Sequence, residues 1–263
     1  MVKRIIILIF SLYILLIIGF YLFQEKVIFR PNKLAKNYTY SFDKEFEEVN
    51  LTTDDNSVIN ALHFKVKNPK GIILYYHGNK GNLNRWGPMV SPLTDYGYDI
   101  FIMDYRGYGK SNGKRNEKNL YRDAQLCYNH VNQFFKEENI IIYGRSLGGT
   151  FATYVASKNN PKQLILEAPF YNLTDLSKRK FSFLPYKYLL KFQFNSNKFI
   201  VNIKCPITFL HGDKDRLIPL KSGQKLFETL KKGHAKFVVI NNGTHHNLMM
   251  SDLYKEKIAT LLK

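Results

Sequence analysis

The sequence is poor in cysteine and in acidic residues, and both shortages limit what the protein can be. The only two cysteines, Cys127 and Cys205, are far apart and lack the close spacing of metal ligands. They offer neither a disulfide framework nor a cysteine metal site, and we interpret both as buried thiols. Asp and Glu total 21 against 39 Lys and Arg, so the formal net charge is +18. This excess favours contact with nucleic acid, an anionic membrane surface or an anionic ligand.

Motifs that would direct this charge to nucleic acid or to a cofactor are missing as well. No zinc-finger spacing and no aromatic RNA-binding signature occurs, so we expect no nucleic-acid partner. The stretch GYGKSNG at 107–113 lacks the spacing of a nucleotide-binding phosphate loop. No cluster of residues has metal-ligand spacing either. We therefore expect neither a metal nor a cofactor.

Charged residues are absent from residues 5–23, which form a long apolar run. As a helix, nineteen residues span about 28 Å, close to the roughly 30 Å hydrocarbon core of a bilayer. The run is not followed by the small-residue cleavage site of a secretory signal. We predict an uncleaved transmembrane anchor over residues 1–25 and a single-pass membrane protein. Basic residues flank both ends of the run, so the side of the membrane that holds the rest of the chain stays open.

Beyond the anchor, residues 26–45 are polar, basic and aromatic and form a predicted juxtamembrane connector. The connector either rests on anionic headgroups or is a solvated linker. From residue 46 onwards, short apolar runs alternate with amphipathic helical stretches. The predicted strands are 46–51, 58–66, 71–76, 98–103, 139–143, 163–167, 207–210 and 236–240. Such alternation predicts an α/β fold, with a mostly parallel sheet covered by helices on both faces.

About forty residues separate the strands at 163–167 and 207–210, which is more than a simple crossover needs. This segment includes KRKFSFLPYKYLLKFQF at 178–194, where aromatic residues alternate with Lys178, Arg179, Lys180, Lys187 and Lys191. We interpret it as an insertion over the carboxyl edge of the sheet. Its aromatic residues either touch lipid or an acyl substrate, or form the core of an ordinary helical crossover.

The motif Gly-x-Ser-x-Gly at 144–148 follows an apolar strand and precedes a predicted helix. In that context, glycines let the backbone turn sharply and present the hydroxyl of Ser146 as a nucleophile. A serine needs a base and a carboxylate that orients the base. Asp213 and Asp215 follow a later strand, and His245 and His246 follow the last one. This chain order is the one that the motif requires.

Taken together, these stretches resemble the α/β-hydrolase superfamily, and most closely its membrane-anchored serine hydrolases of the alpha/beta-hydrolase-domain type. The resemblance rests on four stretches: YYHGNKGN (75–82), DYRGYGKSNG (104–113), YGRSLGG (143–149) and HGDKDRLIP (211–219). It implies an α/β-hydrolase domain over residues 46–263, with a lid insertion at about 170–203.

The family pattern HGxxDxxxP implies Asp215 as the acid, and the terminal pattern GxxHN implies His246 as the base, with His245 one position away. Glu167 is an alternative acid position in some hydrolases. The resemblance implies an oxyanion hole made by the N–H groups of Asn79 and Leu147. The expected reaction is cleavage of a carboxylic ester or thioester, with lipid-like or acylated substrates, through an acyl-enzyme. A peptidase or amidase and a non-catalytic membrane-anchored scaffold are the alternatives.

Overall fold

A mostly parallel sheet of eight strands lies at the centre of the protein. The computed structural model describes residues 1–179 and 182–263. The strands are β1 (Arg30–Pro31), β2 (Phe46–Thr52), β3 (Val58–Phe64), β4 (Ile72–Tyr76), β5 (Lys80–Gly81), β6 (Asp99–Met103), β7 (Ile140–Arg145), β8 (Gln163–Glu167), β9 (Ile207–Gly212) and β10 (Ala235–Ile240). The main sheet has the order β10-β9-β8-β7-β4-β6-β3-β2. All eight predicted strands are present, and the predicted α/β fold is confirmed.

The direction of the strands follows from their connections. β2 and β3 form an antiparallel hairpin across a short polar turn, and β3 also pairs antiparallel with β6. Across the sheet from β6 through β4, β7, β8 and β9 to β10, each strand is parallel to its neighbours in this series. Every residue of β4 and β7 is buried, and all but Gly144 and Arg145 at the end of β7 are apolar, as parallel strands between two helix layers require. The carboxyl ends of these strands therefore meet at one edge of the sheet.

Helices cover both faces of this sheet. The helices of the described residues are α1 (Val2–Ile28), α2 (Leu83–Val90), α3 (Glu117–Val131), α4 (Gly148–Ala156), α5 (Leu173–Lys178), α6 (Tyr186–Leu189), α7 (Ser196–Phe199), α8 (Leu220–Phe227) and α9 (Asp252–Leu261), and α1 is the one whose surface is mostly exposed. Alternate residues of β4 point to opposite sides. Leu74 packs in the apolar cluster with Leu120 of α3, whereas Tyr75 packs in the second cluster with Trp86 of α2 and Tyr254 of α9.

The segment after α1 packs against the folded domain. Phe29 is buried in the main apolar cluster, and β1 pairs with β5. Tyr40 is also buried, and its hydroxyl donates to Asn60 Oδ1 at 2.9 Å. This segment is therefore not a fully solvated linker, because burying these aromatic rings holds the chain on the domain. Its contact with anionic headgroups stays a prediction.

The predicted insertion contains α5, α6 and α7 and has both an inner and an outer side. Leu184, Tyr186 and Phe192 are buried in the main apolar cluster, which fits an ordinary core. Tyr188 instead has 80% of its surface exposed. Lys180, one of the predicted basic residues of the lid, lies outside the described residues.

Candidate active site

The turn from β7 into α4 presents Ser146 at the carboxyl edge of the sheet. Ser146 has a left-handed backbone with φ of 54°, which is rare for a residue other than glycine. Its N–H donates to the carbonyl of Glu167 at 2.8 Å, so the strained turn is tied to β8. A Cβ at Gly148 would overlap the carbonyl oxygen of Tyr76. The glycine at this position therefore lets α4 start directly against β4.

Ser146, His245 and Asp215 form one chain of hydrogen-bonding groups. Nε2 of His245 lies 3.1 Å from Oγ of Ser146, and its Nδ1 lies 2.7 Å from Oδ2 of Asp215. All three side chains are largely buried. Because an imidazole has two ring nitrogens, it can accept a proton from the serine while donating to the carboxylate.

The structure corrects the predicted histidine, because His245 and not His246 lies between Ser146 and Asp215. His246 is exposed at the surface of the same loop. The carbonyl of His245 accepts a hydrogen bond from Nη2 of Arg145 at 3.0 Å, which fixes this residue against the end of β7. In the sequence the terminal pattern GxxHN falls on His246, and His245 stands one position before it. Only the path of the loop determines which ring turns inward.

Asp215 is held by its own loop as well as by the histidine. Its Oδ1 accepts from the backbone N–H groups of Leu217 and Ile218 at 2.9 and 2.8 Å. Burial raises the pKa of Asp215, but the hydrogen bond and charge of His245, the N–H of Ile218 and the charge of His211 together hold the pKa below its usual value. The carboxylate is therefore ionised at neutral pH. Asp213 is an exposed residue of the same turn.

Glu167, the alternative acid, belongs to a separate buried network. Its carboxylate pairs with Nε of Arg145 at 3.1 Å and accepts from the hydroxyls of Tyr143 and Tyr254 at 2.7 and 3.1 Å. Through these contacts the carboxylate joins β8 to β7 and α9. Arg145 links it to the loop of His245. This role of Arg145 is not among the sequence-based predictions, although Arg145 stands between Gly144 and Ser146 in the motif.

The two predicted oxyanion donors flank the serine turn. Leu147 directly follows Ser146. Gly78 lies beside the serine turn, since a Cβ on Gly78 would be in ordinary contact with Cβ of Ser146 at 3.8 Å. The next residue, Asn79, is fixed because its side-chain amide donates to the carbonyl of Ile28 and its carbonyl accepts from the hydroxyl of Tyr108. Within residues 1–179 and 182–263, the backbone N–H groups of Asn79 and Leu147 have no hydrogen-bond partner. Their role in an oxyanion hole remains a prediction.

The comparisons with known proteins agree with this fold. The family described as serine aminopeptidase, S33 (Hydrolase_4) matches residues 67–201. The uncharacterized protein R595 of Acanthamoeba polyphaga mimivirus is 31% identical over 80% of this chain and 79% of its own length. Lysophosphatidylserine lipase ABHD12 of Danio rerio is 31% identical over 60% of this chain and 46% of its own.

Among solved structures, the Pyrococcus furiosus esterase Pf2001 has the same fold. The two chains superpose with a TM-score of 0.68 and 20% identity, over 89% of this chain and 98% of the esterase. The matched family segment covers the serine turn and four of the eight strands of the main sheet. The chain therefore belongs to the α/β-hydrolase superfamily, in the family described as serine aminopeptidase, S33.

Proposed function

We propose that the protein is a serine hydrolase that cleaves acyl esters or thioesters of lipid-like or acylated substrates. The observation that carries this proposal is the chain of contacts from Ser146 through His245 to Asp215. In a scaffold with no reaction to catalyse, nothing would require these three groups to be buried in contact, nor Ser146 to have a strained backbone. The non-catalytic alternative is therefore less favoured.

In the proposed reaction, Oγ of Ser146 attacks the acyl carbonyl carbon while Nε2 of His245 takes the hydroxyl proton. Asp215 accepts the hydrogen bond from Nδ1 and stabilises the imidazolium that forms. The N–H groups of Asn79 and Leu147 are proposed to stabilise the oxyanion, and loss of one such donor typically costs about 10²–10³ in rate. His245 then gives its proton to the leaving alcohol or thiol. Water then attacks the acyl-enzyme while His245 takes a proton from it, and His245 returns this proton to Oγ of Ser146 as the acid is released.

The preference for an acyl chain rests on the surroundings of the serine. Leu147 belongs to an apolar cluster that also contains Phe170, Leu173 and Leu184 of the insertion. An acyl chain beside this cluster would be in apolar surroundings. Two similar proteins, which are named as a lysophosphatidylserine lipase and an esterase, agree with ester cleavage. The helix α1 is long and apolar enough to cross a membrane, which would hold the site near lipid substrates.

A peptidase is the second candidate, because the description of the matched family names a serine aminopeptidase. The same serine, base and acid can cleave amides, so the fold does not separate the two activities. Esterases and peptidases differ in the leaving group, an alcohol or an amine, and in the residues that bind it. Ester and amide substrates with the same acyl part distinguish the two.

A fluorophosphonate probe on the detergent-solubilised full chain tests the proposal. Wild type and Ser157→Ala are expected to be labelled, whereas Ser146→Ala is not. Ser157 is a matched control because it lies at the other end of α4, where its hydroxyl bonds the carbonyl of Tyr154 at 2.7 Å. Turnover of acyl esters of graded chain length, but not of aminoacyl amides, is expected. A folded wild type that is not labelled would contradict the serine mechanism, and faster cleavage of the amides would favour the peptidase.

A further inference from the structure

One face of α1 is in contact with the insertion, whereas the rest of its apolar surface is open. Tyr13, Ile17, Phe20 and Gln24 are the partly or fully buried residues of this face. Their spacing of four, three and four residues places them on one side of a helix. The apolar residues around the rest of the helix are exposed. The anchor therefore packs on the domain along a narrow stripe.

The contacts along this stripe keep a parallel register, in which α1 and the insertion run in the same direction. The hydroxyl of Tyr13 donates to the carbonyl of Phe183 at 3.2 Å. About two turns further along α1, the rings of Phe20 and Tyr186 pack edge to face, with their centroids 5.3 Å apart. From Tyr13 to Phe20 along α1, the contacted residue of the insertion therefore changes from Phe183 to Tyr186.

Gln24 fixes the end of this register. Its side chain is 1% exposed, and its amide donates to the carbonyl of Leu189 at 3.0 Å and accepts from the N–H of Lys191 at 2.7 Å. A buried amide without partners would be costly, so these two bonds favour one alignment of the insertion over all others. Residues 183–191 are held along α1 from Tyr13 to Gln24, and we call this segment the shelf.

The position of the shelf along α1 sets its depth in a membrane. Eleven residues separate Tyr13 from Gln24, which is about 16 Å of helix. Tyr13 lies near the middle of the apolar run at 5–23, so the shelf runs beside the half of the run that is nearer to the domain. When α1 crosses a bilayer, this half lies in one leaflet. The shelf must then occupy the same leaflet.

The residues of the shelf suit such a position. Tyr188 is 80% exposed and would meet lipid, and residues 178–194 contain no Asp or Glu. Lys191 lies at the end nearest the domain, where its ammonium is 4.5 Å from the centre of the Tyr21 ring. Lys187 has a long stem that can carry its charge towards the headgroups. Aromatic rings with basic residues nearby are typical of a segment that enters a membrane interface.

We propose that the shelf, residues 183–191, is embedded in the leaflet next to the folded domain and binds the phospholipid bilayer together with α1. The partner is the acyl and headgroup region of that leaflet. α1 is then more than a tether, since it sets the depth of the insertion. The proposal does not depend on the hydrolase activity, because no substrate takes part in it.

Depth-dependent fluorescence quenching tests this proposal on the full chain in vesicles of phosphatidylcholine and phosphatidylglycerol. A Tyr188→Cys variant carries an environment-sensitive thiol probe, and Lys136→Cys is the control. Cys127 and Cys205 are buried, so labelling is directed to the added cysteine, and labelled wild type gives the background. Lys136 is exposed just before β7, at the opposite edge of the sheet from the carboxyl ends. Iodide is equilibrated across the membrane by freezing and thawing, and a nitroxide on the lipid acyl chain serves as the second quencher.

At residue 188, strong quenching by the acyl nitroxide and several-fold weaker quenching by iodide than at residue 136 are expected. The probe at residue 136 should show the reverse. If both probes are quenched by iodide alike and neither by the nitroxide, the shelf lies in water and the proposal is wrong. Gln24→Leu removes both amide bonds and is expected to increase quenching by iodide at residue 188. No increase would overturn the role of Gln24 in setting the depth.

Discussion

Two neighbouring imidazoles stand in the loop after β10, and their surroundings differ sharply. His245 lies between a hydroxyl and a carboxylate, with its carbonyl bonded to Arg145. His246 is exposed. The few protein groups that shield the His246 ring from water, and the nearby charge of His245, lower the pKa of His246, so this ring is mostly neutral at pH 7. Proton transfer requires contact with the reacting atom, so the geometry favours His245 as the base.

We predict that His245→Ala and His246→Ala have very different effects on ester turnover. Loss of His245 should lower kcat/KM by about 10⁴-fold or more, because the serine loses its base. Loss of His246 should change kcat/KM by less than about tenfold, since an exposed ring has no contact with Ser146. Steady-state kinetics with a chromogenic acyl ester, with circular dichroism as a check on folding, measures both. The opposite order would assign the base to His246.

At the scale of the elements, the start of α4 depends on how closely it approaches β4. A Cβ at Gly148 would overlap the carbonyl oxygen of Tyr76 and lie 2.7 Å from that of His77. Backbone atoms cannot move aside as a flexible side chain can. A Cβ at Gly149 would be 3.5 Å from Pro169, which is ordinary contact. Two adjacent glycines of one helix therefore have different roles.

These distances predict opposite outcomes for Gly148→Ala and Gly149→Ala. The first change should push α4 from β4, lower the free energy of unfolding by about 1–3 kcal/mol and displace Ser146 together with the N–H of Leu147. The second should leave activity intact and raise the free energy of unfolding by about 0.5–1 kcal/mol, as alanine does in a helix interior. Denaturant unfolding and fluorophosphonate labelling measure the two effects. Equal stability of both variants would contradict the close approach.

For the molecule as a whole, stability is expected to fall on mild acidification, and His211 contributes to this fall. Its ring is fully buried, with Nε2 2.8 Å from the carbonyl of Ile218. Burial lowers the pKa of His211, and the nearby His245 lowers it further, although the Ile218 carbonyl and Asp215 oppose this. Because the folded-state pKa lies below the usual value near 6.5, the unfolded chain binds the proton first. The contribution is complete above that pH and is lost as the pH falls.

We therefore predict that His211→Gln, whose amide can still donate to Ile218, is less sensitive to pH than wild type. Between pH 7.5 and 5 the free energy of unfolding should fall by less in the variant than in wild type. Asp215 stays ionised throughout this window, since its pKa is held below 3.8. Denaturant midpoints in detergent at both pH values give the comparison. Identical pH dependence in the two proteins would show that His211 does not contribute.

Much of this architecture could be read from local patterns. Apolar runs such as 72–76 and 140–143 predict strands because residues buried on both faces of a parallel sheet must be apolar throughout. The serine turn has a local signature because only glycine allows the close approach at 148. The uncharged run at 5–23 predicted the membrane-length helix α1 because length and apolarity are properties of the segment itself.

The sequence by itself determined the α/β fold, the serine turn and the apolar helix, since each depends on residues that are neighbours in the chain. Only the tertiary structure decided which histidine meets Ser146, because the two rings differ in the direction that a loop gives them. It also decided that Arg145 and Glu167 hold the base loop and that Gln24 holds the insertion. Those contacts join residues that lie far apart in sequence, and no local periodicity records them.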